Sequence, residues 1–323
     1  MKKKFRYILG FSALFVFLCN SCAKNRSAPS EEILSVDSTL IRGPNDSTSY
    51  FKSSGLLTND KFIFVIDKSN REVLKFNKKG DFLSKWGKKG KGPCELDKPL
   101  FGDLRYGWMA IPDLDANKII LIREDFSECK EILVKEGRPF DVSFDNNRNL
   151  VVQLYRPNGV IFETYSLNKE LLNRFFQVNP DDTALLNAGT LTVDGNNNLI
   201  FAYRYKNLVQ IYDSAGRLKK SFNLPFLTNE IKLSTIGTPQ NTFIQNVEFD
   251  PTNEEILFLK GGIYSDIKSY IYLFDLSYSY LYSVDVELSS GIIESGSSSN
   301  FYITGGFESE IWEISKNKRY GNN

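Results

Sequence analysis

The stretch Phe62–Leu96, FIFVIDKSNREVLKFNKKGDFLSKWGKKGKGPCEL, decides the fold, because its apolar runs have the length of strands and its breaks have the chemistry of turns. Runs of about four to eight apolar or alternating residues bounded by turn formers read as β-strands rather than helices. Phe62 to Ile66 is unbroken and apolar, as in a strand covered on both faces. Asp67-Lys68-Ser69-Asn70 supplies side chains that bond their own backbone, and Val73 to Phe76 returns as a second strand. Asn77-Lys78-Lys79-Gly80 makes the next reversal, with glycine free to take positive φ. In Phe82 to Trp86 the side chains alternate, so this third strand has two different faces.

Altered copies of this meander recur along the chain. Val142–Val152 aligns with Leu191–Phe201 and, with one inserted residue, with Val247–Phe258. Each copy is an inner strand, an aspartate-led hairpin (Asp145, Asp194, Asp250) and a more apolar second strand. Val73–Gly80 is echoed by Val209–Gly216, while Ile161–Leu171 and Ser269–Ser279 fill the same slot without the glycine. Second strands expected near Phe62, Trp108, Leu150, Leu199, Ile256 and Phe301 give six units. Units of about 40 to 60 residues, each with about four strands, predict an all-β, six-bladed β-propeller. The last unit is one strand short, so Ile33–Leu40 or Ser49–Leu57 is expected to close the ring from the N-terminus. Closure removes a free sheet edge that would otherwise template aggregation.

The chain opens with Lys2, Lys3, Lys4 and Arg6, an apolar run from Tyr7 to Leu18, and Cys19-Asn20-Ser21-Cys22. A basic start, a short apolar core and small residues before a cleavage point describe an export signal rather than a membrane span. Ser21-Cys22 resembles the end of a bacterial lipoprotein signal, with lipid attachment expected at Cys22; Leu18-Cys19-Asn20 departs from the usual lipobox. The expected organisation is a signal over 1–21, a polar tether over 22–30, the propeller over 31–319 and a tail over 320–323. Removing the four signal cations takes the formal charge from +1 to about −3, which offers no basic field for nucleic acid.

Phe76-Asn77-Lys78-Lys79-Gly80-Asp81-Phe82, followed by Gly87-Lys88-Lys89-Gly90-Lys91-Gly92-Pro93-Cys94-Glu95, resembles the signature of NHL-like six-bladed β-propeller lipoproteins of Gram-negative bacteria. There the second segment typically reads G-x-x-G-x-G-P-G-E, so Cys94 replaces a glycine and an altered local turn is expected. The resemblance implies an NHL/TolB-like fold and a place in the cell envelope, with the outer membrane as the expected anchor site. It implies no particular activity.

No histidine occurs anywhere, which excludes Ser-His-Asp and Cys-His catalysis, histidine-based zinc sites, and the histidine-dependent metal site of NHL-propeller lyases. Gly87 to Gly92 lacks P-loop spacing and reads as a flexible interblade loop with solvated lysines. Asp113-Leu114-Asp115-Ala116-Asn117 begins like a calcium loop, but Lys118 stands at the sixth place and an apolar strand follows, so a structural turn is expected. Asp145, Asp194 and Asp250 read as turn formers. An exported setting permits a Cys94–Cys129 disulfide without establishing one. No cofactor or metal is expected.

The candidate binding residues follow the second strands: Tyr155 and Arg156, then Tyr203, Arg204 and Tyr205. Tyrosine offers a rigid amphipathic surface and arginine a planar fork for carboxylate or phosphate. Equally, these tyrosines could pack between blades and the arginines pair with acids. The expected function is a monomeric, lipid-anchored, non-catalytic module that binds a glycan, peptide or partner protein. The alternative is a propeller enzyme, a polysaccharide lyase or calcium-dependent hydrolase, with carboxylate, tyrosine and arginine groups at the channel mouth.

Overall fold

The computed structural model describes residues 33–35, 37–42, 51–157, 159–177, 186–227, 235, 242–261, 269–286, 290–296, 300–305 and 309–315. The expected signal, tether and tail, and Cys22 with them, lie outside the described residues.

Two short strands come first, β1 (Ile33–Ser35) and β2 (Asp37–Arg42). Blade 1 comprises β3 (Ser53–Thr58), β4 (Phe62–Asp67), β5 (Glu72–Asn77) and β6 (Phe82–Trp86). Blade 2 holds β7 (Asp103–Arg105), β8 (Trp108–Asp113), β9 (Lys118–Arg123) and β10 (Cys129–Leu133); blade 3 holds β11 (Arg138–Phe144), β12 (Leu150–Arg156), β13 (Gly159–Tyr165) and β14 (Leu171–Gln177). Blade 4 is β15 (Gly189–Val193), β16 (Leu199–Tyr203), β17 (Val209–Tyr212) and β18 (Leu218–Phe222). Blade 5 is β19 (Asn246–Asp250), β20 (Glu255–Lys260), β21 (Ser269–Phe274) and β22 (Tyr280–Val286). Blade 6 takes β23 (Ser290–Ser295), β24 (Asn300–Gly305) and β25 (Ile311–Ser315) from the end of the chain.

Each blade is an antiparallel meander, and the innermost strands touch in the cyclic order β3, β7, β11, β15, β19, β23 and back to β3. The protein is a six-bladed β-propeller. Its fourth strand in blade 6 is β2, antiparallel to β25 with Asp37 opposite Ser315. Of the two expected closing segments, the first therefore closes the ring; Ser53–Thr58 is instead the innermost strand of blade 1. β1 adds a parallel fifth strand to blade 5 through Leu34 opposite Val284. Arg42 of β2 donates to the Gly80 carbonyl (3.1 Å) and lies over Phe76, and the Phe51 amide donates to Ser309 Oγ (2.8 Å), so side chains also fasten blade 6 to blade 1.

The core is six wedges, one between each pair of neighbouring blades. Alternation explains why the second strands are apolar throughout. In β4, Phe64 and Ile66 face blade 2 while Ile63 and Val65 face blade 6. At about 25 cal/mol per Å² of apolar surface, these two-sided strands supply much of the driving force for folding.

The hairpins obey the turn chemistry. Asp145 Oδ1 accepts the amides of Asn147 and Asn149, Asp194 those of Asn196 and Asn198, and Asp250 that of Thr252. The position filled by Gly80 and Gly216 at positive φ is taken by Lys169 (φ 73°) and Tyr278 (φ 60°) in blades 3 and 5. The glycine eases this turn but is not required for it.

The Gly87–Gly92 loop is pinned rather than flexible. The Gly90 amide donates to the Leu96 carbonyl (2.9 Å), Leu96 to Lys88 (2.8 Å), and Lys88 pairs with Glu95 (2.8 Å). Glu95 folds back over the glycines, and a Cβ at Gly90 would collide with its Oε2. Cys94 adopts a left-handed conformation (φ 54°), and its side chain is bridged to Cys129. The Cys94 amide donates to Glu131 Oε1 (2.7 Å), and the buried Lys118 ammonium binds both Glu131 (2.5 Å) and the Gly92 carbonyl (2.6 Å). The loop thereby joins blade 1 to the outer strand of blade 2.

Candidate functional site: the two ends of the central channel

Each innermost strand runs from the interblade connection to the first hairpin of its blade, and the second strand runs back. The ends of the second strands and the starts of the innermost strands therefore share one face, the loop end. The first hairpins, including those led by Asp145, Asp194 and Asp250, form the other, the hairpin end.

At the loop end the sequence-predicted residues separate. Tyr155 packs on Phe140 with ring centroids 4.5 Å apart. Arg204 follows β16, and its guanidinium lies 5.6 Å from the ring centroid of Phe101 and 5.7 Å from that of Phe140. Phe101 and Phe140 meet edge to face, so these rings and Arg204 gather at one end of the channel. Burial pushes the Tyr155 hydroxyl upward in pKa, with the nearby Arg204 charge opposing and the Tyr205 hydroxyl adding to the rise. Tyr155, Arg204 and Tyr205 thus share one environment. Arg156 is drawn away by ion pairing to Glu136, which also receives Arg174 (3.1 Å). Tyr203 is buried, edge-on to Phe201, with its hydroxyl donating to Gln210 Oε1 (2.9 Å). Those two residues build the blade.

The hairpin end carries a group that the repeat reading passed over. Asp103 and Arg105 from β7, Glu248 from β19 and Glu294 from β23 line a cavity of about 370 Å³ that also reaches Tyr106 and Asn146. Deeper in, the channel narrows to a void of about 20 Å³ beside Asp141 and Phe101, room for little more than a water. Arg105 ties the innermost strands together: it pairs with Asp103 (3.3 Å) and donates to the carbonyls of Phe144 (3.1 Å) and Val193 (3.4 Å). Asp103 in turn accepts the Ser143 hydroxyl (3.0 Å) and the Phe144 amide (2.7 Å).

Burial raises the Glu248 carboxyl well above its usual range, with repulsion from Asp103 adding to the rise and Arg105 opposing. Glu294 is raised by burial and then by Glu248 and Asp103, although the Thr58 amide donates to it (3.3 Å). Burial disfavours the Arg105 charge, but Asp103 and Glu248 outweigh that and hold the guanidinium protonated. Asp141 is pushed up to about 6 by burial, against hydrogen bonds from the Leu191 amide (3.0 Å) and the Thr190 hydroxyl (2.8 Å). Carboxyls kept neutral in a cavity can donate a proton or a hydrogen bond. Among the described residues no three acids or cysteines stand close enough to hold a metal ion. The calcium-loop lookalike is a turn whose Asp113 oxygens accept the amides of Asp97 (2.7 Å) and Lys98 (2.9 Å). A sequence signal for the hairpin end did exist: Glu248 stands where the aligned copies have Ser143 and Thr192, an acid flanked by Val247 and Phe249 in an innermost strand.

Residues 45–97 match the DUF5128 family model, described as a 6-bladed beta-propeller. No curated protein sequence matches the chain. Among solved structures, a catalytically inactive histidine-to-alanine variant of virginiamycin B lyase from Staphylococcus aureus with quinupristin is similar, at 12% identity and a TM-score of 0.59 over 86% of this chain and 99% of that one. A Bacteroides fragilis protein classed as exported shares 14% identity and a TM-score of 0.58 over 86% of this chain and 94% of its own. A luciferin-regenerating enzyme shares 10% identity and a TM-score of 0.58 over 88% and 96%. At these identities the likeness is one of fold alone, shared by proteins of unrelated chemistry.

Proposed function

We propose that the chain is a binding module of the bacterial envelope, an NHL-like propeller lipoprotein exported by its N-terminal signal and anchored through lipid on Cys22. It recognises a glycan, peptide or partner protein at the loop end of its channel. The export reading is supported by the basic and apolar start and by the fold shared with an exported Bacteroides fragilis protein. The observation that carries the recognition reading is Arg204, held across Phe101 and Phe140 beside Tyr155 with no carboxylate paired to it among the described residues. A planar cation framed by aromatic rings on a rigid ring of sheets is an arrangement suited to binding. The test is a crosslinking pull-down of the native lipoprotein from intact envelopes, beside an Arg204→Ala variant that melts normally. A partner recovered by the parent and lost by the variant supports this reading; equal recovery removes Arg204 as its determinant.

A second reading has its own observation. Glu248 and Glu294 converge in the hairpin-end cavity with raised pKa values, as a general acid requires. The Staphylococcus aureus lyase is inactive when a histidine is replaced, and this chain has none, so any catalysis here would rest on carboxyls. Glycan turnover abolished by Glu248→Gln or Glu294→Gln and untouched by Arg204→Ala would move the assignment to an enzyme.

A further inference from the structure

The hairpin-end cavity holds more acid than its own cation answers. Glu248 and Glu294 occupy the same position in blades 5 and 6, opposite Leu257 and Tyr302, where blades 3 and 4 place Ser143 and Thr192 opposite Val151 and Ile200. Their strands are neighbours in the ring, so both acids line one space. Arg105 is already committed to Asp103 and to the Phe144 and Val193 carbonyls. Glu248, largely buried, makes no hydrogen bond or ion pair among the described residues. Glu294 is 7% exposed and accepts only the Thr58 amide (3.3 Å), which leaves its second carboxyl oxygen without a partner among the described residues. Enclosed carboxylates without a matching cation are costly, so the site is completed by a positive charge from outside.

A ligand can reach these acids. Tyr106, 40% exposed, and the exposed Asp60 stand at the edge of the cavity. Its volume of about 370 Å³ falls within the range of small-molecule sites, roughly 300–1,000 Å³. Leu104, Phe249 and Pro251 give it an apolar wall.

We propose that the hairpin-end cavity binds a small aliphatic amine, with its ammonium between Glu248 and Glu294 and its methylenes against Leu104, Phe249 and Pro251. An ammonium brings three donors and a charge to carboxyl oxygens that lack both. A neutral hydroxylated ligand brings donors without the charge, an anion is repelled, and no three acids among the described residues are spaced for a bare metal ion. The inference does not rest on the recognition reading, which concerns the other end of the channel, and it requires no turnover.

It carries a proton signature. Glu248 is acted on by Asp103 and Arg105 from β7, Asp141 from β11 and Asp250 from its own strand, and Glu294 by Glu248, Asp103 and Arg105. Burial and the neighbouring acids raise both carboxyls, and an ammonium favours their charged form, so binding releases protons. Amines of the lysine type stay charged over about pH 6 to 8, so affinity should rise with pH across that range.

The experiment is calorimetric titration of the full chain with putrescine, butylamine, butanediol and calcium chloride at about pH 6 and 8, in two buffers of different ionisation heat. Putrescine and butylamine are expected to bind, more tightly at the higher pH and with proton release. Butanediol, a like chain without the charge, should bind weaker by about tenfold or more. Glu248→Gln and Glu294→Gln, each shown to melt cooperatively, should each weaken putrescine binding about tenfold. Equal binding of diol and amine, no loss in either glutamine variant, tighter binding at the lower pH, or no amine binding at millimolar concentration each overturns the proposal. Calcium that binds and displaces putrescine overturns it too and assigns the acids to a metal. Should a glutamine variant fail to fold, the amine against the diol on the parent chain decides.

Discussion

Arg105 and Arg204 stand at opposite ends of one channel and are built in opposite ways. Arg105 is enclosed by acids and bonded to two other blades, so its charge is consumed in holding the innermost strands together. Arg204 rests on aromatic rings, and among the described residues no acid is paired to it. The same residue type is held among acids at one end and across aromatic rings at the other. The carboxyls of the hairpin end outnumber their single cation and are driven toward the neutral form.

Both ends depend on closure of the ring, so the largest effect should come from removing the closing strand. Deleting 31–42, which contains β1 and β2, strips blade 6 of its outer strand and is expected to abolish the cooperative melt of the parent. A deletion variant that melts with the parent would show that neither end needs the closure.

Arg105→Ala comes next, at about 3–5 kcal/mol at pH 7, because it leaves buried carboxyls without their cation. Chemical denaturation should show a smaller loss as the pH is lowered, since burial already raises the Glu248 and Glu294 carboxyls and favours their neutral form. A loss under about 1 kcal/mol would put Arg105 in the same class as Arg204 and end the contrast.

The pH dependence sharpens the picture of the channel between the two ends. The Asp141 carboxyl has a folded pKa of about 6 against 3.8 in a free chain, so between those values the native state binds more protons than the unfolded state. Raising pH through that window therefore costs stability, by about 3 kcal/mol for this group at most. Asp141→Asn should flatten the decline between pH 4 and 7, and unchanged profiles would mean that Asp141 does not titrate there.

The smallest effect is expected at Arg204→Ala, within about 1 kcal/mol of the parent in either direction, since no ion pair among the described residues is broken. A loss of about 3 kcal/mol or more in a melt would make Arg204 a structural residue after all.

The fold was readable because propeller blades are local objects. Asp145, Asp194 and Asp250 announced their hairpins, and apolar runs such as Phe62 to Ile66 announced strands with a neighbour on each face. Cys94 marks the limit of that kind of reading. Its place in a glycine-rich turn is local, but its bridge to a residue 35 positions away was not decided by any neighbouring pattern. The candidate site was half legible. The pairs Tyr155–Arg156 and Tyr203–Arg204 look alike in sequence, but Glu136 captures Arg156 while Arg204 reaches Phe101 and Phe140 from other blades.

Period, strand length, turn chemistry and the absence of histidine are properties of neighbouring residues, and from them come the all-β propeller, its six units and the list of excluded chemistries. The choice of closing strand, the channel acids and the setting of Arg204 against rings of other blades were decided only by the ring. Closing it sets Asp103, Glu248 and Glu294, far apart in the chain, within reach of one another, and burial and proximity then shift the Glu248 and Glu294 carboxyls, as no local sequence pattern could.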